Sequence, residues 1–341
     1  LGLEILGITV LWLFLFGYVI IASIDFGAGF FNAYSILTGR SHILTNIISR
    51  YLSPVWEVTN VFLVFFFVGI VGFFPKTAYY YGTILLVPIS ISVVLLSIRG
   101  SYYAFEAYVS KGHKGYAFAY GGAGLLIPAS LSVVFTISEG GFVEIVNGGP
   151  QLDYWKLYTS PLSWSIVLLS IVAVLYISAV FLTWYAWKAG DQPASQLMRK
   201  YALIWAAPLI ITAVGIVYEM RSHNVERFEM MGNLWMVFAL SAILFIFTIW
   251  CIWQKRHYGL AVILLILQFA LAFFAYGFSH YPYLLYPYLT IHEGFTNTEM
   301  ALALVIAFIA GLCLLIPSLY LLFRLFVFNK GYVRGERKEH V

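Results

Sequence analysis

Polar residues are so sparse in this chain that they read as interruptions of an apolar background. Apolar runs about 20 residues long recur nine times, near residues 5–24, 55–74, 79–98, 116–137, 162–186, 201–219, 233–253, 258–277 and 300–323. A run of that length matches what an α-helix needs to cross the ~30 Å hydrocarbon layer of a bilayer. The pattern predicts an all-α integral membrane helix bundle of about nine transmembrane helices. It shows no linker, low-complexity tract, soluble domain or fixed-period repeat, so residues 1–341 are expected to form one polytopic domain. The first run lacks a basic n-region and a small-residue cleavage site and is too long for a signal-peptide core, which predicts a retained helix.

Composition points the same way. Hydrophobic residues make up 62% and charged residues 10% of the chain, and the mean hydropathy is +0.89, against about 25% charged residues in soluble domains. The net charge of +4 is small, but its placement is one-sided. With the N-terminus outside, the cytoplasmic connections and tail hold Arg40, Arg50, Arg99, Lys111, Lys114, Lys188, Arg199, Lys200, Lys255, Arg256, Arg324, Lys330, Arg334, Arg337 and Lys338. Of the 19 basic residues, that leaves only Lys76, Lys156, Arg221 and Arg227 for the opposite face. This asymmetry predicts an odd number of crossings with the C-terminus in the cytoplasm. It also makes the charge a report on topology, and no nucleic-acid partner is expected. The outer face is acidic and aromatic, with Glu139, Glu144 and Asp153 in one loop and a Tyr/Pro-rich stretch over 278–299 that predicts an interfacial belt and a loop packed on the surface.

The remaining side chains exclude several chemistries. Cys251 and Cys313 fall inside predicted helices with no Cys-x-x-Cys spacing, which argues against disulfide, zinc and c-type haem sites. His42, His113, His223, His257, His280, His292 and His340 all lie in loops, tails or helix ends, and the methionines within predicted helices, Met236 and Met300, sit near outer ends. A haem buried in a bundle needs axial His or Met at mid-membrane depth. This chain is therefore expected to bind no haem, other cofactor or metal by itself.

What is left is a polar set at the predicted inner face: Asp25 closing the first run, Glu57 and Asn60 opening the second, Arg99 closing the third, and Glu106 beyond it. Intramembrane carboxylates are costly unless paired, wetted or protonated, and they mark functional sites by default. Glu57 and Asn60 share a helix face, and Pro54 suits a first helical turn. Arg99 compensates one carboxylate, and a second would tend to hold a proton, which makes Asp25, Glu57, Arg99 and Glu106 the proton-relay candidates. Against this stands a structural reading, in which Asp25–Arg99 is a buried pair that fixes helix register. Glu106 is the weakest member, and as a loop acid it has a solvated role open to it. Phe26-Gly27-Ala28-Gly29 is followed by no Lys-Ser/Thr, so close helix packing explains its glycines better than phosphate binding.

The ordered set Asp25-Phe26-Gly27-Ala28-Gly29, Trp56-Glu57 with Asn60, Arg99 with Phe105-Glu106, and Thr290-Ile291-His292-Glu293 resembles subunit II of the cytochrome bd-type quinol oxidases along nearly the whole chain. Where that family commonly has Trp-Asp-Gly in its second helix and Trp-Asp before its last, this chain has Trp56-Glu57-Val58 and His292-Glu293. The acids remain and their length differs. The resemblance implies a haem-free subunit of a quinol:oxygen oxidoreductase in the bacterial plasma membrane, packed beside a haem-bearing subunit I that holds two haems b and one haem d. It also implies a small single-helix subunit in some complexes, quinol and lipid as further partners, and a proton-uptake role for the positions of Asp25 and Glu57. A proton-coupled secondary transporter is the rival from another class, although no repeat or pair of broken helices favours it. A purely scaffolding subunit is the third reading.

Overall fold

The computed structural model describes residues 2–105, 114–329 and 331, with the side chains at 41, 46, 49–58, 102–105 and 116 outside that description. Helix α1 runs over Leu3–Leu37 and α2 over Ser41–Phe73. Both exceed the apolar runs that announced them. At 1.5 Å per residue α1 is about 52 Å long, well beyond a hydrocarbon layer. The added turns of α2 are amphipathic: Leu44, Ile47 and Ile48 are buried in the main core while polar residues separate them.

The third predicted run, 79–98, does not form one helix. Phe74 precedes Pro75, and the ring of a proline disfavours helical backbone in the residue before it. Phe74 accordingly leaves the helical region, and α3 (Pro75–Ile84) starts with the proline in its first turn, bent 119° from the end of α2. A second break at Leu85 releases α4 (Leu86–Phe105). The apolar helix α4 therefore begins about seven residues later than the hydropathy pattern placed it.

Helices α5 (Lys114–Leu131) and α6 (Val133–Ser138) continue one apolar path. The hairpin β1–β2 (Val143–Val146, Gly149–Leu152) and the short α7 (Tyr154–Thr159) follow, in the connection to the next long helix. Helices α8 (Pro161–Ala189) and α9 (Gln192–His223) form a hairpin, and its turn is written in sequence. Gly190 takes the left-handed conformation that ends α8, and the Asp191 carboxylate accepts from the Ala194 N–H to cap α9. Helix α10 (Val225–Gly232) lies beyond it, then α11 (Trp235–Trp253) and α12 (Tyr258–Ser279). The Tyr/Pro-rich stretch forms hairpin β3–β4 (Tyr283–Leu285, Leu289–Thr290) and α13 (Ile291–Gly294) before α14 (Thr298–Leu322), which ends in a π turn over Phe323–Val327. Leu285 and Leu289 insert into a second core with Phe142, Val143 and Leu157, which seats these two connections on the bundle.

Among the described residues seven helical segments are long and apolar enough to cross a membrane, or eight if the bent α2–α3 pair is one span. The main core lies where α1, α8 and α9 meet, around Ala28, Phe31, Leu175, Ile177, Ala179 and Leu182.

Candidate functional site

Asp25 does not sit at the end of its helix. Because α1 continues to Leu37, Asp25 is twelve residues inside it, about 18 Å from the C-terminus. Its side chain is 1% exposed, and that of Arg99, on α4, is 0% exposed. The structure brings them together, with Arg99 Nη2 donating to Asp25 Oδ2 at 3.0 Å. The same nitrogen reaches the Asp25 carbonyl at 3.3 Å and Tyr120 Oη on α5 at 3.0 Å, and Nη1 donates to the Tyr120 carbonyl at 3.1 Å. The guanidinium carbon lies 4.1 Å from the centre of the Tyr120 ring and 5.0 Å from that of Phe26. A planar fork of donors over two aromatic faces is what arginine supplies and lysine cannot.

Small residues make room for that guanidinium. A Cβ on Gly29 would come within 2.6 Å of Tyr120 and 3.0 Å of Arg99 Nη1, and one on Gly124 within 2.6 Å of the Phe26 carbonyl oxygen and 3.0 Å of the same Nη1. Gly27 faces the other way, where a Cβ would strike Ser178 of α8 at 2.4 Å, and Ser178 Oγ donates to the Ile24 carbonyl. The glycines after Asp25 are thus packing positions, with Gly29 of α1 and Gly124 of α5 beside the ion pair.

The other members of the polar set stand differently. The side chain of Glu57 and the whole of Glu106 lie outside the described residues. Asn60 lines a cleft of about 330 Å³ between α2 and α4 with Ser97 and Gly100, the residue after Arg99. The Thr290-to-Glu293 motif is a capping box that starts α13, and His292 Nδ1 lies 2.7 Å from Glu4 Oε2.

A second buried ion pair, between charges that the sequence places in connections between apolar runs, occupies the opposite end. Glu139 and Arg227 are each 1% exposed, and Arg227 Nε donates to Glu139 Oε2 at 3.2 Å. Tyr276 Oη donates to Glu139 Oε1 at 2.7 Å, His280 Nε2 lies 3.1 Å from that oxygen, and Arg227 Nη1 caps the Ser279 carbonyl at 2.7 Å. Burial pushes the Glu139 carboxyl up, but the His280 hydrogen bond and charge, the Arg227 charge and the Tyr276 hydroxyl outweigh it and hold the group below its ordinary value. No signal in the sequence pointed to this pair, since both charges lie in connections between apolar runs, where side chains are solvated by default.

Among the described residues no group of three or more His, Cys, Asp and Glu side chains is arranged to hold a metal. The described histidines do not fit a haem axial pair either. His280 and His292 are held by carboxylates, His223 stacks on Phe142, His257 stands at the N-terminal boundary of α12, and His42 is in the first turn of α2.

Seven helices long and apolar enough to cross a bilayer, among the described residues, define a multi-pass integral membrane protein, and the Asp25–Arg99 pair is buried within its bundle. The family model for cytochrome bd terminal oxidase subunit II matches residues 3–326, and the chain belongs to that family. It is thus a membrane subunit of a bacterial quinol oxidase, an oxidoreductase complex. It is 33% identical over 342 residues to the putative cytochrome bd menaquinol oxidase subunit II of Bacillus subtilis (strain 168), covering 98% of each chain. The bd oxidase structure from Geobacillus thermodenitrificans contains a chain 64% identical to this one, with a TM-score of 0.84 over 97% of this chain and 100% of that one.

Proposed function

We propose that this chain is the haem-free subunit of a quinol-oxidising, oxygen-reducing terminal oxidase and that Asp25, compensated by Arg99, passes protons from the cytoplasmic side toward a haem-bearing partner. The observation that carries the reading is the Asp25–Arg99 contact at 3.0 Å, sealed from solvent well inside a membrane-spanning helix. Of the two groups only the carboxylate can take up and release a proton, because the guanidinium stays charged. The Asn60-lined cleft beside Gly100 supports an approach from the α2–α4 side, where Glu57, one turn before Asn60, is the second relay acid. Glu106, the remaining relay candidate, lies outside the described residues.

The orientation proposed is nine crossings, with the N-terminus outside and the C-terminus in the cytoplasm. It adds α2 and the shorter α4 to the seven clear spans. The Glu4–His292 contact supports it, since it puts the start of α1 and the approach to α14 at one end of the bundle, so the first and last helices run the same way. As partners we assign subunit I, with two haems b and one haem d, a small single-helix subunit, quinol and membrane lipid. Support of subunit I assembly belongs to the same proposal.

The Asp25→Asn complex tests it. Slowed oxygen consumption with full haem content is the expected result, and unchanged turnover removes Asp25 from the route. The cage of Tyr120, Phe26 and backbone carbonyls around Arg99 favours a second reading, a register lock between α1, α4 and α5. On that reading the same variant loses haem and subunit I together.

A further inference from the structure

At the end of the bundle opposite the Glu139 pair, the Gln254–His257 turn between α11 and α12 borders a cleft of about 610 Å³. That volume is in the range of ~300–1,000 Å³ found for small-ligand sites. We propose that it binds the phosphate headgroup of an anionic phospholipid, with the acyl chains lying along α11 and α12.

Its rim is cationic. Lys255 and Arg256 line the cleft, and neither has a carboxylate within 4.0 Å among the described residues. The nearby acid in sequence at this end, Asp191, is occupied in capping α9. Lys255 and His257 both hold a positive φ of 56°, a backbone conformation that non-glycine residues rarely adopt. The start of α12 contributes as well. Gly259 and Leu260 line the cleft, and the first N–H groups of a helix lack intrahelical acceptors and favour an anion. With no side chain at Gly259, the Trp184 indole nitrogen comes to 3.4 Å from where its Cβ would be, so a further donor faces the same space.

Below the rim the surface becomes apolar, which distinguishes a lipid from a free anion. Trp187 forms part of the wall and is half exposed, as interfacial tryptophans are. Trp250, Ile246, Leu260 and Ile263 continue as exposed apolar side chains along α11 and α12, both of which are spans. Lys188 connects this corner to the end of α14, lying over the rings of Trp184 and Phe328 at 5.1 and 4.8 Å and donating to the Val327 carbonyl. An occupied cleft therefore braces α8, α12 and the π turn together.

The test uses the assembled complex in mild detergent, titrated with phosphatidylglycerol or phosphatidylcholine and followed by native mass spectrometry and amide hydrogen exchange. We expect phosphatidylglycerol to bind at least tenfold more tightly than phosphatidylcholine and to slow exchange over 254–260, since each basic residue near an anionic headgroup contributes about a five-fold effect. The Lys255→Gln/Arg256→Gln variant should lose both effects, and Lys255→Arg/Arg256→Lys should keep them. Equal binding by the double-glutamine variant, or absence of protection in the turn, would overturn the proposal. So would equal protection by millimolar inorganic phosphate, which would make this a free-anion site.

Discussion

Arg99 Nη2 stands 3.0 Å from Asp25 Oδ2, and the guanidinium that makes this contact is also held by the carbonyl and hydroxyl oxygens of Tyr120, so one side chain joins α1, α4 and α5. Charge balance and helix register consequently depend on the same group, and the two are separated by substitution.

Replacing Arg99 by Met leaves a carboxylate buried without this cation. Breaking a buried pair in that way costs about 3–5 kcal/mol, whereas replacing both partners with apolar residues often costs little. The expected order of thermal midpoints for the assembled complex is wild type, then Asp25→Leu/Arg99→Met, then Arg99→Met. Arg99→Lys should fall near Arg99→Met, because an ammonium cannot span the same acceptors.

The glycines around the guanidinium give a matched pair. Gly124→Ala drives a Cβ to 2.6 Å from the Phe26 carbonyl oxygen, an atom of the α1 backbone that cannot turn aside, while Gly122 on the same helix has open space. Gly124→Ala should destabilise by about 1–3 kcal/mol as overpacking does. Gly122→Ala should be neutral or stabilising by up to ~1 kcal/mol, as expected for glycine replaced within a helix. Thermal unfolding of the two purified complexes checks this.

Glu139 should make the outer cap acid-sensitive. Its folded carboxyl lies below the ordinary value, so its stabilisation is complete above the unfolded value, about 4.3, and fades as pH falls through the folded one. The stability gap between wild type and Glu139→Gln should be constant from neutral pH down to about 5 and should close below about 4. Unfolding curves across that range measure it, and a gap that grows on acidification would contradict the assignment.

The proposed orientation predicts opposite labelling of two exposed positions. In intact cells, with Cys251 and Cys313 replaced by Ser, a membrane-impermeant thiol reagent should modify Trp155→Cys and spare Lys255→Cys. In inside-out vesicles the pattern should reverse.

Most of the bundle was legible because crossing a bilayer imposes a length and a hydropathy that each helix carries by itself. The third run was misplaced because hydropathy does not register a turn: the break at Leu85 falls between Ile84 and Leu86, where the residues on both sides remain apolar. Asp25 was read at a helix end because the turns that follow, through Asn32 and Ser35, are polar enough to look like a loop; both side chains are buried in α1. The contact of Asp25 with Arg99 could be anticipated, since two rare opposite charges on neighbouring spans at similar depth have few other partners. Glu139–Arg227 could not, because loop charges are solvated by default and only the fold of the outer segments, with His280 and Tyr276 drawn in, buries them.

The central claim is that Asp25 carries protons. The direct measurement is proton uptake from the cytoplasmic side of the reconstituted complex after oxygen is delivered to the fully reduced enzyme, followed with a pH-indicator dye in wild type and Asp25→Asn. Uptake slowed at least tenfold, about 1.4 kcal/mol or more in barrier height, with an unchanged haem spectrum is the predicted result. Uptake at the wild-type rate in a variant that retains its haems would contradict it and leave the Asp25–Arg99 pair a structural lock.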